Sequence, residues 1–447
     1  MKRVLALILA IVTILTLTAC SSGNDADHGG TSQGNTQQQT GSQQQDNGQQ
    51  QVDTGSGDIR TITWWTVRID GWGPVEELIA EYNAANPNIK VELIGVGNLL
   101  EQLIVSAPAG ELPELWDSPS QTFMQQLSST GAVVDIDEFF KEIGYDRMLA
   151  VGLEFTRLPN GKLHNIAWEN NVEYFWYHPS LFEQAGITRT PETFDELLDV
   201  AKKLDAAGIV PFAQFPGWHA LRLLSMIPFR LSGNEYLDEL MVGNVSMGNP
   251  IGMRALQWFQ EIAPYFQPGW ATATYGDAYD TFMGFNGAMW FIGSWQFASF
   301  LDENQELLDD FDFFPMPTLP DAITGAYDTV AHSGTGTAIT ATKFDDDVRD
   351  FVVWMLDHYP QKAFEYGVLP AMTFDTDAVE MSSFFRNLLD YSAKIETPLM
   401  PWDVPMNVAA NIVLADELVN LGIGVITADE FVKRVDAAIA ENPTVTS

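Results

Sequence analysis

The 447 residues carry 22 Lys and Arg against 60 Asp and Glu, a net charge of −38, and 46% of them are hydrophobic. A field of that sign repels nucleic acid and disfavours anionic substrates unless a local basic pocket intervenes, and few basic clusters exist to make one. The length suits two lobes with cores of their own better than one compact unit, and a single cysteine, Cys20, excludes an intramolecular disulfide framework and any multi-cysteine metal site.

Lys2 and Arg3 precede an apolar run over residues 4–17, and Leu17-Thr18-Ala19-Cys20 follows it. This resembles a bacterial lipobox: a signal peptide over 1–19 is cut before Cys20, whose thiol then carries lipid. The run falls short of the roughly 18 residues a spanning helix needs, and no later segment qualifies. Residues 20–57 hold the lipidated cysteine and a stretch dominated by Gln, Gly, Ser, Asn and Thr. Such a composition buries too little surface to offset the entropy of ordering, so a flexible tether is expected, with the body held outside the cell.

Folding starts at Ile59. Thr61-Ile62-Thr63-Trp64-Trp65-Thr66 predicts a strand, residues 74–85 a helix with Val75, Leu78, Ile79 and Tyr82 on one face, and residues 89–94 a second strand. Strand, helix, strand is the unit of a parallel sheet. Another short strand ends near Trp116-Asp117, and Asp135 opens a surface helix. Residues 163–176 read as one strand leading to His178-Pro179 and a short helix. Thr190 is the expected N-cap of the next helix, with Pro191 at its first position, and residues 209–212 resume as strand. Further helices are expected over 250–262, 294–308, 345–357, 384–392, 404–421 and 427–440, the last opened by the capping-box spacing of Thr427 and Glu430.

Catalytic and cofactor signatures are absent: no phosphate-binding loop, no H-E-x-x-H, no G-x-S-x-G, no complete dinucleotide fingerprint and no histidines at ligand spacing. Neither a cofactor nor a metal is expected. Asp345-Asp346-Asp347 sits where a helix should begin, and acids there favour the helix dipole. Tryptophan is abundant, 13 in all. A sugar ring has an apolar C–H face and a rim of hydroxyls, so its site wants aromatic planes with polar neighbours. Trp116-Asp117, Trp168-Glu169-Asn170, Trp218-His219 and Trp402-Asp403 have that pairing. In Phe285-Asn286-Gly287-Ala288-Met289-Trp290-Phe291-Ile292-Gly293-Ser294-Trp295, Trp290 belongs to a buried strand. Ser294 can cap a helix whose mouth presents Trp295 to a ligand.

The 285–295 segment resembles the F-x-x-G-x-A-A-M-x-x-x-G-x-W stretch of the extracellular solute-binding proteins of family 1, the lipid-anchored sugar receptors of ABC importers. Similar agreement holds for Trp64-Trp65, Tyr82-Asn83 with Asn86-Pro87-Asn88, Gly110 with Leu112-Pro113-Glu114-Leu115, Tyr174-Phe175-Trp176-Tyr177 and Pro191-Glu192-Thr193-Phe194. His178 departs from the family's usual Asn, Ile166-Ala167 replaces an apolar-Pro pair, and one small residue is missing before Met289. The resemblance implies an α/β fold of two lobes, periplasmic-binding-protein-like (type II), with ligand closed in the cleft between them. One lobe would take residues 58–167 plus about 327–387, the other about 168–326 plus 388–447. It implies a non-enzymatic, monomeric receptor that hands a mono- or oligosaccharide to a membrane permease. Trp64, Trp65, Trp116, Asp117, Glu169, Asn170, Trp218, His219, Trp295, Trp402 and Asp403 are the expected ligand contacts. A lipid-anchored glycoside hydrolase, marked by a carboxylate pair, and a same-fold receptor for a polyamine, suited to acidic and aromatic surroundings, are the alternatives.

Overall fold

The computed structural model describes residues 59–69, 71–118, 120–158, 160–376 and 381–444. The expected leader, Cys20 and the tether lie outside the described residues.

Two sheets organise the chain, one in each lobe. The first has the order β2-β1-β3-β9-β4, with β1 at Arg60–Thr66, β2 at Ile89–Gly95, β3 at Leu115–Ser118, β4 at Asn165–Ile166 and β9 at Gly336–Ile339. β1 runs parallel to β2 and β3, while β9 is antiparallel to β3 and β4. The predicted strand–helix–strand unit is present: the helix Gly73–Ala85 buries Val75, Leu78, Ile79 and Tyr82. These pack with Ile62, Trp64 and Val91 and with Phe351 and Met355 of the helix Asp346–Glu365. The opposite face, around Trp116 and Ala338, is covered by Leu99 and Leu103 and by Phe123, Met124 and Leu127. Both faces of this mixed sheet are thus buried under helices, as in an α/β layer architecture.

The second sheet centres on β5, Asn171–Tyr177, flanked by β6 (Met289–Gly293), β7 (Asp312–Phe314) and β8 (Ala331–His332), all antiparallel to it. Its side chains alternate between two cores. Phe175 packs under the helices Trp218–Ser232, Pro250–Ile262 and Val408–Gly422. Val172, Tyr174 and Trp176 face Phe297, Phe300 and Phe384 on the other side.

Among the described residues, the chain passes between the sheets over 167–170, over 333–335, and again after the helix Asp346–Glu365, around residues 369–371. The first and third passages are paired, Ala371 donating its N–H to Trp168 O and Asn170 to Leu369 O, each at 2.8 Å. The helix Ser383–Ser392 packs as one piece on the second sheet, so the expected change of lobe at 387–388 falls within it.

Several local expectations change. Thr193, not Thr190, caps the helix Phe194–Ala206, its hydroxyl accepting from Glu196 N. Residues 209–212 make only isolated bridges. The single strand over 163–176 is broken at the first passage into β4 and β5. In place of a helix over 294–308 there is one short 3-10 segment, Ser294–Ser299. The helix Trp218–Ser232 carries no amphipathic stripe, since residues 219–230 are all buried, and a helix buried all round leaves no exposed face to set a period.

Candidate functional site

A cavity of about 400 Å³ opens where the first two passages between the sheets meet the ends of β1 and β3, the Trp295 corner and the start of the helix Trp218–Ser232. Its aromatic wall is Trp295, set by its neighbours. A Cβ on Gly293 would stand 2.0 Å from the Trp295 ring, so only glycine lets the indole fold back over the strand end. Trp218 meets it edge-on with centroids 6.1 Å apart, and His332 lies 5.6 Å away. Ser294 does not cap a helix. Its hydroxyl accepts from Val172 N at 3.2 Å and donates towards Asn170 O and Asn171 Oδ1, tying the corner to the start of β5.

Facing the indoles are two sets of paired charges. Arg68, just past β1, donates to Glu169 Oε1 at 2.5 Å, lies 3.6 Å from Asp117 Oδ2, and rests 3.7 Å over the Trp72 ring. Asp117 is fully buried and also accepts from Thr66 Oγ1 at 2.6 Å, Trp64 Nε1 at 3.2 Å and Thr337 Oγ1 at 3.1 Å. Burial raises its pKa despite Arg68 and these donors. In the second set, Glu173 at the centre of β5 accepts from Arg222 Nε at 3.0 Å and His332 Nε2 at 3.1 Å. Arg222 also pairs with Asp403 and lies 5.2 Å from the Trp218 ring centre. Burial opposes the Glu173 charge, but Arg222 and His332 outweigh it, and the pKa falls below the ordinary carboxylate value. Gly334 N donates to His332 Nδ1 at 2.9 Å, which puts the neutral ring's proton on Nε2, facing Glu173. Arg68 Nη1, Ser118 Oγ and Asn165 Oδ1 have no hydrogen-bond partner in the protein, although their residues line the cavity.

Of the expected contacts, Glu169, Trp218, Trp295 and Asp403 come together in this cavity. The rest stand elsewhere. Trp64 and Trp116 are core residues on opposite faces of the first sheet, and Trp402 is buried in the helical core of the second, beside Tyr236. Asp117 lies beneath the site, holding Arg68. Trp65 borders a separate surface depression with Ile94 and Val96. Asn170 contributes its backbone carbonyl to Ser294. His219 is buried behind the wall, stacked on Phe215 at 4.3 Å and donating from Nε2 to Phe291 O. Sequence reasoning missed Arg68, Asn171, Arg222 and His332. One signal was visible: Arg222 is a lone charge inside His219-Ala220-Leu221-Arg222-Leu223-Leu224, and an isolated cation in an apolar run needs a buried partner. Among the described residues, no group of three or more His, Cys, Asp or Glu side chains is placed to hold a metal ion.

A family model described as bacterial extracellular solute-binding protein matches residues 70–362. The chain belongs to this family. This solute-binding protein is 23% identical over 281 residues to an uncharacterized ABC transporter extracellular-binding protein of Pyrococcus horikoshii. The match takes in 60% of the chain and spans about three fifths (61%) of that relative's length. It is 24% identical over 156 residues to the sn-glycerol-3-phosphate-binding periplasmic protein UgpB of Rhizobium meliloti, covering 32% of the chain and 36% of that protein. Among solved structures, a chitin oligosaccharide binding protein superposes with a TM-score of 0.75 at 19% identity, over 87% of this chain and all of that one. That likeness carries the fold, two α/β lobes. No helix among the described residues is long and apolar enough to cross a membrane.

Proposed function

We propose that this solute-binding protein captures a neutral mono- or oligosaccharide between its lobes, without catalysis, and delivers it to an ABC permease while anchored to the membrane by lipid on Cys20. The observation that carries the reading is the wall made by Trp295, seated on Gly293 with Trp218 at its edge, in a cavity whose other lining includes the polar residues Ser118, Gln121, Asn165 and Asn171. An apolar plane facing hydrogen-bonding groups matches a pyranose or furanose ring. A phosphate ester fits poorly, because Arg68 and Arg222 are each already held by two carboxylates. The surplus of carboxylates over arginines around the cavity supports a second reading, a polyamine.

One thermal-shift plate of sugars and polyamines separates the two, since a ligand that binds the folded state raises its apparent stability. A sugar is expected to shift the transition, and calorimetry with Trp295→Ala to show affinity at least about tenfold weaker with the melting temperature preserved. A shift by polyamines alone would transfer the assignment, and cleavage of an oligosaccharide on overnight incubation would replace receptor by hydrolase. For the anchor, metabolic labelling with palmitate is expected to mark the protein and Cys20→Ala to abolish the label; a label that survives the substitution refutes lipidation at this residue.

A further inference from the structure

A second depression, of about 840 Å³, continues the cavity past Ser120, which lines both. Its two walls continue those of the cavity. On one side Ser118, Ser120 and Gln121 lead to Phe123 and to Leu100 and Ile104 of the helix Leu99–Ala109. On the other, Asp403 and Val404 lead to Val408 and Ile412 of the helix Val408–Gly422. None of the residues lining the groove is charged, in a chain with 60 Asp and Glu. Ile104 is 51% exposed, Val408 42% and Ile412 56%. Aliphatic side chains facing one another across a groove leave apolar area in water, and such patches mark sites of interaction. The cavity supplies indole planes and charged hydrogen-bonding groups. The groove supplies branched aliphatic carbons, with hydroxyl and amide groups such as Thr122, Gln126 and Asn407 at intervals.

Resting on the sugar reading above, we infer that the ligand is a glycoside whose sugar ring occupies the cavity and whose apolar substituent, an aryl, alkyl or acyl group, runs past Ser120 into this groove. A bare oligosaccharide is the poorer occupant, because its successive rings ask for several aromatic planes and dense hydrogen bonding, and the groove offers one aromatic ring, Phe123, among mostly aliphatic residues. Ser120, which lines both the cavity and the groove, marks the path, and the absence of charge in the groove fixes the chemistry.

The test is calorimetry on the full chain with three sets of probes: glucose, galactose, xylose and N-acetylglucosamine; the phenyl β-glycoside of each; and the matching β-linked trisaccharides. For whichever parent sugar binds, its phenyl glycoside is expected to bind at least about tenfold more tightly, from the apolar area buried. Ile412→Asp and Ile104→Asp, at half-exposed positions on opposite walls, are expected to abolish that gain while leaving the parent sugar's affinity unchanged. Equal affinity for parent and phenyl glycoside overturns the inference, as does a gain that survives both variants or a trisaccharide gaining as much as the glycoside. Variants that weaken every probe equally also overturn it, since the groove then serves lobe closure and not the ligand. If neither parent sugars nor glycosides bind, the sugar reading falls along with this one, whereas parent binding without the gain removes this one alone.

Discussion

Trp218, Trp295 and His219 sit within one aromatic cluster, and burial gives them different work. Trp295 keeps one face open because Gly293 has no side chain to lift the ring. His219 is sealed against Phe215 with Nδ1 unpartnered, and burial depresses its pKa from 6.5 to about 4. Below pH 6.5 the unfolded chain therefore takes up a proton that the folded chain refuses until about pH 4, so stability falls as pH falls through that window. The loss is on the order of 3 kcal/mol for a shift of that size. Thermal melts between pH 7 and 4.5 should show it, and His219→Gln, which keeps a donor for Phe291 O, should flatten the slope. A slope identical in both proteins would remove His219 as its source.

At the scale of elements, the corner from β6 into the 3-10 segment depends on the Ser294 hydroxyl. It joins three backbone or side-chain groups of the first passage and β5, and Asn171, one of the three, lines the cavity and donates to Glu169 Oε2 at 3.3 Å. Ser294→Ala leaves the buried Val172 N–H without its acceptor, at a cost of about 1–3 kcal/mol. It should also loosen Asn171 and weaken ligand binding several-fold. Chemical denaturation paired with titration checks both effects; a stability loss with unchanged affinity would confine Ser294 to the fold. The same residue shows how a motif can be legible and its role hidden. A serine after glycine at the end of an apolar run looks like a cap, but with no regular helix following it, its hydroxyl serves β5.

For the whole molecule, the passages between the sheets permit one lobe to move on the other, and a ligand touching both lobes favours the closed arrangement only through contacts it makes in that arrangement. The cavity meets this condition: Arg68 and Ser118 come from the ends of first-sheet strands, while Trp218, Trp295 and Asp403 belong to the second lobe. Small-angle scattering should therefore show a smaller radius of gyration at saturating sugar than without it. An unchanged radius at full occupancy would show that binding proceeds without closure.

What the sequence determined by itself were the features that local chemistry sets. The first strand–helix–strand unit followed from the spacing of Val75, Leu78, Ile79 and Tyr82, the final helix from the Thr427–Glu430 capping box, and Trp290 went to the core because it stands inside an apolar strand. The two-lobed α/β fold was legible from family-specific segments. The site was legible in part: Glu169, Trp218, Trp295 and Asp403 were found because tryptophan beside a polar or turn residue is a local pattern. That pattern equally marked Trp64, Trp116 and Trp402, whose burial is decided by the helices that pack over each of them. Only the tertiary structure could bring Arg68 to Glu169 across 101 positions and Arg222 to Asp403 across 181. The partners of a buried charge are chosen by which chain segments meet at the passages, and neither spacing nor composition carries that information.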